Sequence, residues 1–266
     1  MVSEWERGAR AWKLRRKRRF SPFPSTLISS PLHPTTPRHT DPDVRAAIAT
    51  VRAAAAGGPD RPPPDAVLAS VLALERAKLA PTPFFQSITG GSPSGRRWRL
   101  TYTAGSAAVK AAMKSGGSAD AGGFGTGGAY VPVTAVQRWS AGGGGGGGGG
   151  GQAASTSGGG TAQAGAIENG VFLGWLGALV FRGTFELVGR RLPFALDTLR
   201  VRVGPKWFEF PISTRTSGGG AEKGSGPFFL VAYVDDGVVV ARGKSGGVAV
   251  WARAGEEWCA RAGVDA

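Results

Sequence analysis

The carboxyl-terminal stretch of the sequence limits the possible folds of this chain most strongly. Residues 228–234 and 238–242 are rich in the β-branched and aromatic side chains that favour strands. They meet at Asp236-Gly237, a dipeptide typical of the type I′ turn because it tolerates positive φ at both central positions. Gly246-Gly247 then reverses the chain into a third apolar run, residues 248–253. Three adjacent antiparallel strands that are apolar at nearly every position need cover on both faces, so the sequence predicts one wall of a barrel or sandwich.

The predicted hairpin also specifies which side chains lie opposite one another. A two-residue turn pairs Asp235 with Val238, Tyr233 with Val240, and Val231 with Arg242. Arg242 is then a polar exception on an apolar face. We expect it to form a structural ion pair, with Asp235, Glu186 or Asp197 as candidate partners. The alternative is that it reaches a rim and binds a ligand head group.

Upstream segments show the alternation of apolar and polar residues that is typical of half-buried strands. They are residues 97–103, 130–139, 181–187, 198–203 and 207–212; in 130–139 the pattern is weaker, with Val131, Val133 and Ala135 on one side. With the three terminal strands this makes about eight, the number at which a closed barrel just holds one small ligand. The sequence therefore predicts a mainly β fold, an antiparallel β-barrel of about eight strands.

Two short helices are predicted before the strands. Asp41-Pro42-Asp43 supplies an N-cap, a proline for the first helical position and an acid near the positive end of the helix dipole, and Gly57-Gly58 ends this helix. Asp65, after Pro62-Pro63-Pro64, is the predicted N-cap of the second helix, which ends before Pro81-Thr82-Pro83. Each helix has one apolar stripe, so we expect both to pack on the mouth or the outside of the barrel. A role at a membrane surface is the alternative interpretation.

The predicted domain organisation has three parts. Residues 1–40 combine an Arg/Lys cluster with Ser, Thr, Pro and few acids, which is typical of an organelle transit peptide and makes them a disordered leader. Residues 41–90 are the helical N-terminal segment, and residues 91–266 are the barrel. Two glycine tracts within the barrel, residues 115–128 and 141–164, are predicted to be disordered Gly-rich insertions.

Charge and rare residues narrow the functional classes. The net charge is +14, and the first forty residues hold nine basic against two acidic side chains, so half of the excess lies in the leader. A nuclear signal at Lys13–Arg19 is the rival interpretation of that cluster.

Cys259 is the only cysteine, and both histidines, His33 and His39, lie in the leader. A mature domain without histidine lacks Ser-His-Asp and Cys-His machinery and histidine-ligated metals, so we predict a protein that is not an enzyme and uses no metal or cofactor.

Three motifs follow one another along the chain. Residues 95–103 read Gly-Arg-Arg-Trp-Arg-Leu-Thr-Tyr-Thr, residues 167–173 read Ile-Glu-Asn-Gly-Val-Phe-Leu, and residues 233–243 read Tyr-Val-Asp-Asp-Gly-Val-Val-Val-Ala-Arg-Gly. Together they resemble the plastid lipid-associated protein (PAP) family, also called fibrillins. That family opens a strand with Gly-x-Trp-x-Leu-x-Tyr-Thr and closes with Tyr-Leu-Asp-Glu-x-Leu-Arg-Ile-x-Arg-Gly. The signature residues of the closing motif are Asp235, Arg242 and Gly243.

The resemblance implies a lipocalin-like barrel in the chloroplast, associated with plastoglobules or thylakoids. It implies a non-enzymatic protein that binds or organises carotenoids, prenylquinones or other lipids and makes peripheral contact with a plastid lipid surface. One alternative is a protein-interaction accessory that delivers a hydrophobic substrate to a prenyl-lipid biosynthetic enzyme. Another is a barrel enzyme that uses a carboxylate such as Asp235 or Glu168. A nucleic-acid partner is not expected, because Trp and Arg form no interleaved stacking patch outside the leader.

The candidate pocket residues are aromatic side chains at predicted inward positions, together with one arginine. They are Trp98, Tyr102, Phe181, Phe185, Phe229, Tyr233, Trp251 and Arg242. Most of the aromatic residues are expected to fill the core rather than to contact a ligand, because large apolar side chains are usually buried for packing. The predicted partner is a hydrophobic small molecule or lipid, since burial of apolar ligand surface needs no precise polar geometry.

Overall fold

The computed structural model describes residues 41–80, 84–114, 128–142, 162–212 and 226–264. The helices in these ranges are α1 Pro42–Ala56, α2 Pro64–Ala77, α3 Phe84–Thr89, α4 Ser106–Lys114 and α5 Glu256–Arg261, with a short 3₁₀ helix at Gly174–Leu176. The strands are β1 Arg96–Ala104, β2 Ala129–Tyr130, β3 Thr134–Ala141, β4 Gln163–Phe172, β5 Ala178–Leu187, β6 Arg191–Val203, β7 Lys206–Pro211, β8 Phe228–Val234, β9 Val238–Gly243 and β10 Val248–Arg253. The predicted leader and most of both glycine tracts lie outside the described residues. The limits 141–164 were too wide, because Ala141 ends β3 and Gln163 begins β4.

Eight of the strands close into an antiparallel barrel. Their order around the ring is β1-β3-β4-β5-β6-β8-β9-β10, and the pairing of β10 with β1 completes it, from Trp98 opposite Arg253 to Ala104 opposite Val248. Strands β2 and β7 lie off this ring and pair with β1 and β6. The prediction of a mainly β, lipocalin-like antiparallel barrel with short helices is confirmed.

Helix α3 closes one end of the barrel. Its Phe84 and Ile88 pack against the interior residues Trp98 and Trp139, and Trp98 Nε1 donates a hydrogen bond to Ile88 O at 2.9 Å. We call this the closed end. The open end is the opposite one, where the β4–β5 and β6–β7 connections lie.

Helices α1 and α2 pack on the outer face of β1, β8, β9 and β10, as predicted. Asp41 Oδ1 accepts a hydrogen bond from Asp43 N at 3.1 Å, which confirms the N-cap of α1. Asp65 does not cap α2. That helix begins at Pro64, whose fixed φ already suits the first helical position, and its N-cap is Pro63 without a side-chain hydrogen bond.

The hairpin between β8 and β9 forms, but its turn differs from the prediction. Neither Asp236 nor Gly237 has positive φ, so the turn is not of type I′. Instead Asp235 Oδ1 accepts hydrogen bonds from Gly237 N at 2.7 Å and Val238 N at 2.8 Å. An aspartate side chain that accepts from the backbone two residues on can form a turn by itself, without positive φ.

The register of this hairpin is correct only near the turn. Tyr233 pairs with Val240 as predicted. An irregularity between Val231 and Tyr233 shifts the rest, so that Val231 lies opposite Ala241 and Leu230 opposite Arg242. A bulge adds one residue to one strand, which no turn-based register can anticipate.

The segment predicted as one strand over 130–139 is two strands. It divides at Val131–Val133 because Pro132 has no N–H for the ladder. Val133 lies before β3 and is 47% exposed, whereas Ala135 shares the inward face of β3 with Trp139.

Candidate ligand-binding site

Aromatic rings fill the closed end of the barrel. Trp251 lies at its centre, with ring centroids 6.0 Å from Trp139 and 5.5 Å from Phe229, both edge-on. Trp98 lies 6.4 Å from Trp139, and Phe185 lies 6.0 Å from Phe85 of the segment that closes this end. Trp98, Phe185, Phe229 and Trp251 therefore face inward as predicted, and they pack on one another.

The open end of the barrel has an accessible inner wall. Phe181 shares the inward face of β5 with Phe185, four residues away, but it is only partly buried. Leu179 on the same face is 38% exposed, whereas its outward neighbours Ala178 and Val180 are 2% and 7% exposed. At this end the inner face of β5 is thus more accessible than its outer face. This apolar surface is available to a bound molecule.

Two carboxamides lie between the filled and the accessible parts of the interior. Gln137 of β3 and Asn169 of β4 are directly opposite each other, and they alternate with the inward-facing Trp139 and Ile167. Gln137 Oε1, Asn169 Oδ1 and Trp139 Nε1 are buried, and none has a hydrogen-bond partner among the described residues. A buried polar atom left unpaired costs about 1–3 kcal/mol. These atoms are placed to bind a ligand group, such as a hydroxyl, that both donates and accepts.

Exposed apolar side chains lie on one side of the open end, in the β4–β5 connection and on β6 and β7. We name them the apolar rim: Leu173, Trp175, Leu176, Val203, Phe208 and Phe210. The β4–β5 and β6–β7 connections meet there, because Gly177 lies against the carbonyl oxygen of Arg202, too close for any side chain. Arg202 Nη2 also donates to Gly174 O at 3.2 Å. The most exposed rim residue is Trp175, at 87%.

Tyr102 and Tyr233 do not face the interior, which corrects the sequence prediction. Each follows a bulge, between Leu100 and Tyr102 in β1 and between Val231 and Tyr233 in β8, and the extra residue turns each tyrosine to the outer face. Tyr102 OH donates to Pro64 O at 2.8 Å beneath α2. Both rings belong to the core between helices and barrel, and burial raises the pKa of both phenols, that of Tyr233 to about 12.

Arg242 also faces outward, and it forms an ion pair rather than lining the pocket. Its partner is Glu75 of α2 and not one of the three predicted acids. The contact is bidentate, with Arg242 Nε donating to Glu75 Oε1 at 2.7 Å and Nη2 donating to Oε2. Arg242 Nη1 donates to Gly246 O at 2.7 Å, and Gly243 N donates to Gly247 O at 2.8 Å. These signature positions hold α2 on β9 and shape the turn into β10.

Asp235 makes the corresponding contact to α1. Its Oδ2 accepts from Arg52 Nε at 2.8 Å and from Tyr233 OH at 2.7 Å. Burial pushes the pKa of Asp235 upward, but the hydrogen bonds from Tyr233, the turn amides and Arg52 outweigh it and hold the pKa below its ordinary value. Neither Asp235 nor Glu168, the carboxylates considered for catalysis, faces the barrel interior.

Sequence reasoning missed the amide pair and the rim. A signal existed only for Gln137, which stands two residues before Trp139 in a segment predicted to be a strand, whereas Asn169 lies in β4, which was not predicted. Among the described residues no three His, Cys, Asp or Glu side chains come together to hold a metal ion. In the same ranges, every helix is too short or too polar to cross a membrane. No protein-family model, curated protein or solved structure matches the chain.

Proposed function

We propose that this protein is a non-enzymatic binding protein for a hydrophobic small molecule, working at a plastid lipid surface. The ligand occupies the open end of the barrel, with its apolar body on Phe181, Leu179 and the facing wall. Its polar group meets Gln137 and Asn169. The observation that carries the proposal is the accessible apolar inner wall beside two unpaired buried amide oxygens.

Energetics support this ligand class. Each Å² of apolar surface removed from water contributes about 25 cal/mol, so an elongated hydrocarbon gains most of its affinity from the wall. A group that satisfies the buried amides adds specificity, because a ligand without it leaves those atoms unpaired. Carotenoids and prenylquinones, which the family resemblance implies, have long apolar bodies and few polar atoms. They suit this arrangement.

The apolar rim supports contact with a lipid surface. Trp175 and Leu176 project from a short 3₁₀ helix at the opening, and Arg202 and Lys206 flank the same end. Tryptophan is enriched at membrane–water interfaces, and basic side chains near an anionic surface add attraction. The resemblance places that surface at plastoglobules or thylakoids of the chloroplast. An accessory role beside a prenyl-lipid enzyme is compatible with the same rim.

Binding of all-trans-retinol to the purified chain tests the interior site. Retinol is an apolar polyene with one hydroxyl, and its fluorescence reports burial. We expect saturable binding that Phe181→Ala weakens about tenfold, since the ring supplies roughly 1–2 kcal/mol of buried apolar contact. Val180→Ala is the matched control, because Val180 is the next residue of β5 and faces outward. Absence of binding, or equal weakening by both variants, would contradict an interior site.

The cellular part of the proposal has its own test. A fluorescent fusion of the full chain is expected to enter chloroplasts and to concentrate on lipid-containing structures there. Lipid extraction of the fusion isolated from those plastids would then yield a hydrophobic compound in stoichiometric amount. A nuclear or purely cytosolic signal would contradict the plastid proposal while leaving the retinol result untouched.

A further inference from the structure

The outer face of the barrel carries a row of charged side chains that the interior site does not use. Arg97 of β1 pairs with Arg138 of β3, Arg138 with Glu168 of β4, and Glu168 with Arg182 of β5. Residues directly opposite in a sheet lie on one face. Each of the four is next in sequence to an inward-facing position, so this row faces outward.

A cleft of about 310 Å³ lies along this row. Its floor is apolar and includes Val136, Phe172 and Val180. Gly170 stands between Val136 and Val180 on this floor, and the Phe172 ring occupies the space that a Cβ of residue 170 would fill. Trp207 of β7 borders the cleft. The volume lies at the lower end of the range typical of small-molecule sites, which suits a molecule with a single ring.

Positive charge dominates the cleft. Glu168 is the only carboxylate among its described lining residues, and it is bridged by Arg138 at 2.9 Å and Arg182 at 2.7 Å. No carboxylate of the described residues pairs with Arg97, which is partly buried. Glu168 thus offsets at most one of the guanidinium charges that line the cleft.

Arg200 is the fourth guanidinium. Its Nε is buried without a hydrogen bond, 3.4 Å from Oε2 of Glu209, whose side chain is 62% exposed. The guanidinium lies over the Trp207 ring, 4.5 Å from its centroid. Arg182 Nε is likewise buried and is not aligned for a hydrogen bond with Glu168. Both Nε groups therefore lie beside a carboxylate oxygen without a well-aligned hydrogen bond to it, which is unusual for buried donors.

We propose that this cleft binds a small organic anion: a carboxylate or phosphate monoester attached to an apolar group of about one ring. The oxyanion meets Arg97, with Arg138 directly opposite it on β3, because guanidinium donors match carboxylate and phosphate oxygens in pairs. The apolar group lies on the floor beside Val136 and Phe172. The site is on the opposite side of the barrel wall from the amides, so it is independent of ligand binding in the interior.

Calorimetric titration of the full chain with phenyl phosphate tests the proposal, with benzoate, inorganic phosphate and phenol as the other arms. Phenyl phosphate or benzoate should bind, whichever oxyanion the cleft prefers, and more tightly than inorganic phosphate or phenol. Arg97→Gln should weaken that binding about tenfold or more, as expected for loss of a charged hydrogen bond. Arg45→Gln is the matched control, since Arg45 is an exposed arginine on α1 outside the cleft.

Glu168→Gln separates a binding role from a merely structural one. Removal of the carboxylate frees two guanidinium groups, so affinity for the anion should rise, whereas a general loss of structure would lower it. Circular dichroism and retinol binding verify that each variant remains folded. The proposal is overturned if neither phenyl phosphate nor benzoate binds, if inorganic phosphate or phenol binds equally well, if Arg97→Gln behaves like Arg45→Gln, or if Glu168→Gln weakens binding.

Discussion

The amide pair in the barrel wall is the residue-scale feature that most directly links structure to function. A folded protein gains nothing from burying Gln137 Oε1 and Asn169 Oδ1 without partners. Natural proteins retain locally destabilising side chains of this kind mainly at functional sites, usually binding sites. We therefore expect stability and affinity to change in opposite directions when one amide is replaced.

Asn169→Leu should raise the free energy of unfolding by about 1 kcal/mol, because it removes an unsatisfied polar group from an apolar wall. The same change should weaken retinol binding but not the binding of retinyl acetate, which has no hydroxyl to donate. Chemical denaturation and parallel titrations of the two compounds measure both effects. Thr184→Leu, an exposed polar-to-apolar change on the outer face of β5, should alter neither affinity. Equal weakening for both compounds would show that Asn169 acts through shape alone.

Residue faces were predictable from the sequence only where the strand pattern is uninterrupted. Trp98, Phe185 and Trp251 follow plain alternation and face inward as predicted. Tyr102 and Tyr233 continue the same alternation in the sequence, but each lies beyond a bulge and faces the helices. A bulge depends on how two strands pair, so one strand's sequence does not reveal it.

At the scale of elements, two ion pairs join the N-terminal helices to the barrel, in addition to the apolar core between them. Arg52 of α1 meets Asp235 at the β8–β9 turn, and Glu75 of α2 meets Arg242 on β9. The second pair is the less exposed, with side-chain exposures of 21% for Arg242 and 15% for Glu75. Loss of one member leaves a half-buried charge without its partner.

Arg242→Met should therefore lower the free energy of unfolding by about 1.5–3 kcal/mol, the range for hydrogen bonds to charged groups. Urea unfolding of Arg242→Met, Glu75→Gln and the double variant gives the coupling energy, which we expect to be large and favourable. Arg76→Gln removes an exposed charge from the same helix turn and serves as the control. Additive effects of the two single changes would mean that the ion pair does not join helix to barrel.

The predicted number of strands in the barrel was right partly because two errors cancelled: β4 was missed, and β7 was counted although it lies off the ring. Strand β4 has no clear alternation, because Gly165, Gly170 and small or polar residues fill most of its positions, and the sequence did not indicate it. Strand β7 does alternate, but it lies off the ring. The local sequence pattern does not explain why β4 is a strand. It forms a strand because it pairs along its length with β3 on one side and β5 on the other. Tertiary pairing of this kind overrides weak intrinsic preference.

At the scale of the whole molecule, the two ends of the barrel differ in chemistry. The closed end is covered by α3 and filled with rings, whereas the open end presents the apolar rim to solvent. Exposed apolar residues in a contiguous patch are typical of an interaction surface. The sequence could not predict this difference between the two ends. The rim residues before β5 and those on β6 and β7 become neighbours only because Gly177 approaches Arg202 closely.

The double variant Trp175→Ser and Leu176→Ser should weaken binding to vesicles of galactolipid and anionic phosphatidylglycerol at least about tenfold, because it removes the most exposed apolar side chain of the rim together with its neighbour. Flotation of vesicles with bound protein measures this. Met113→Ser is the control, since Met113 is also exposed but lies on α4, away from the rim. Unchanged flotation of the double variant would place the lipid contact elsewhere on the chain.

The apolar rim lies at the end of the barrel that α3 leaves uncovered, so the proposed function uses one opening both for lipid docking and for ligand exchange. In the proposed function, a ligand that leaves the amides enters the bilayer directly and does not cross bulk water. The rate of ligand transfer between lipid particles would accordingly depend on how often the protein collides with them rather than on the solubility of the free ligand in water.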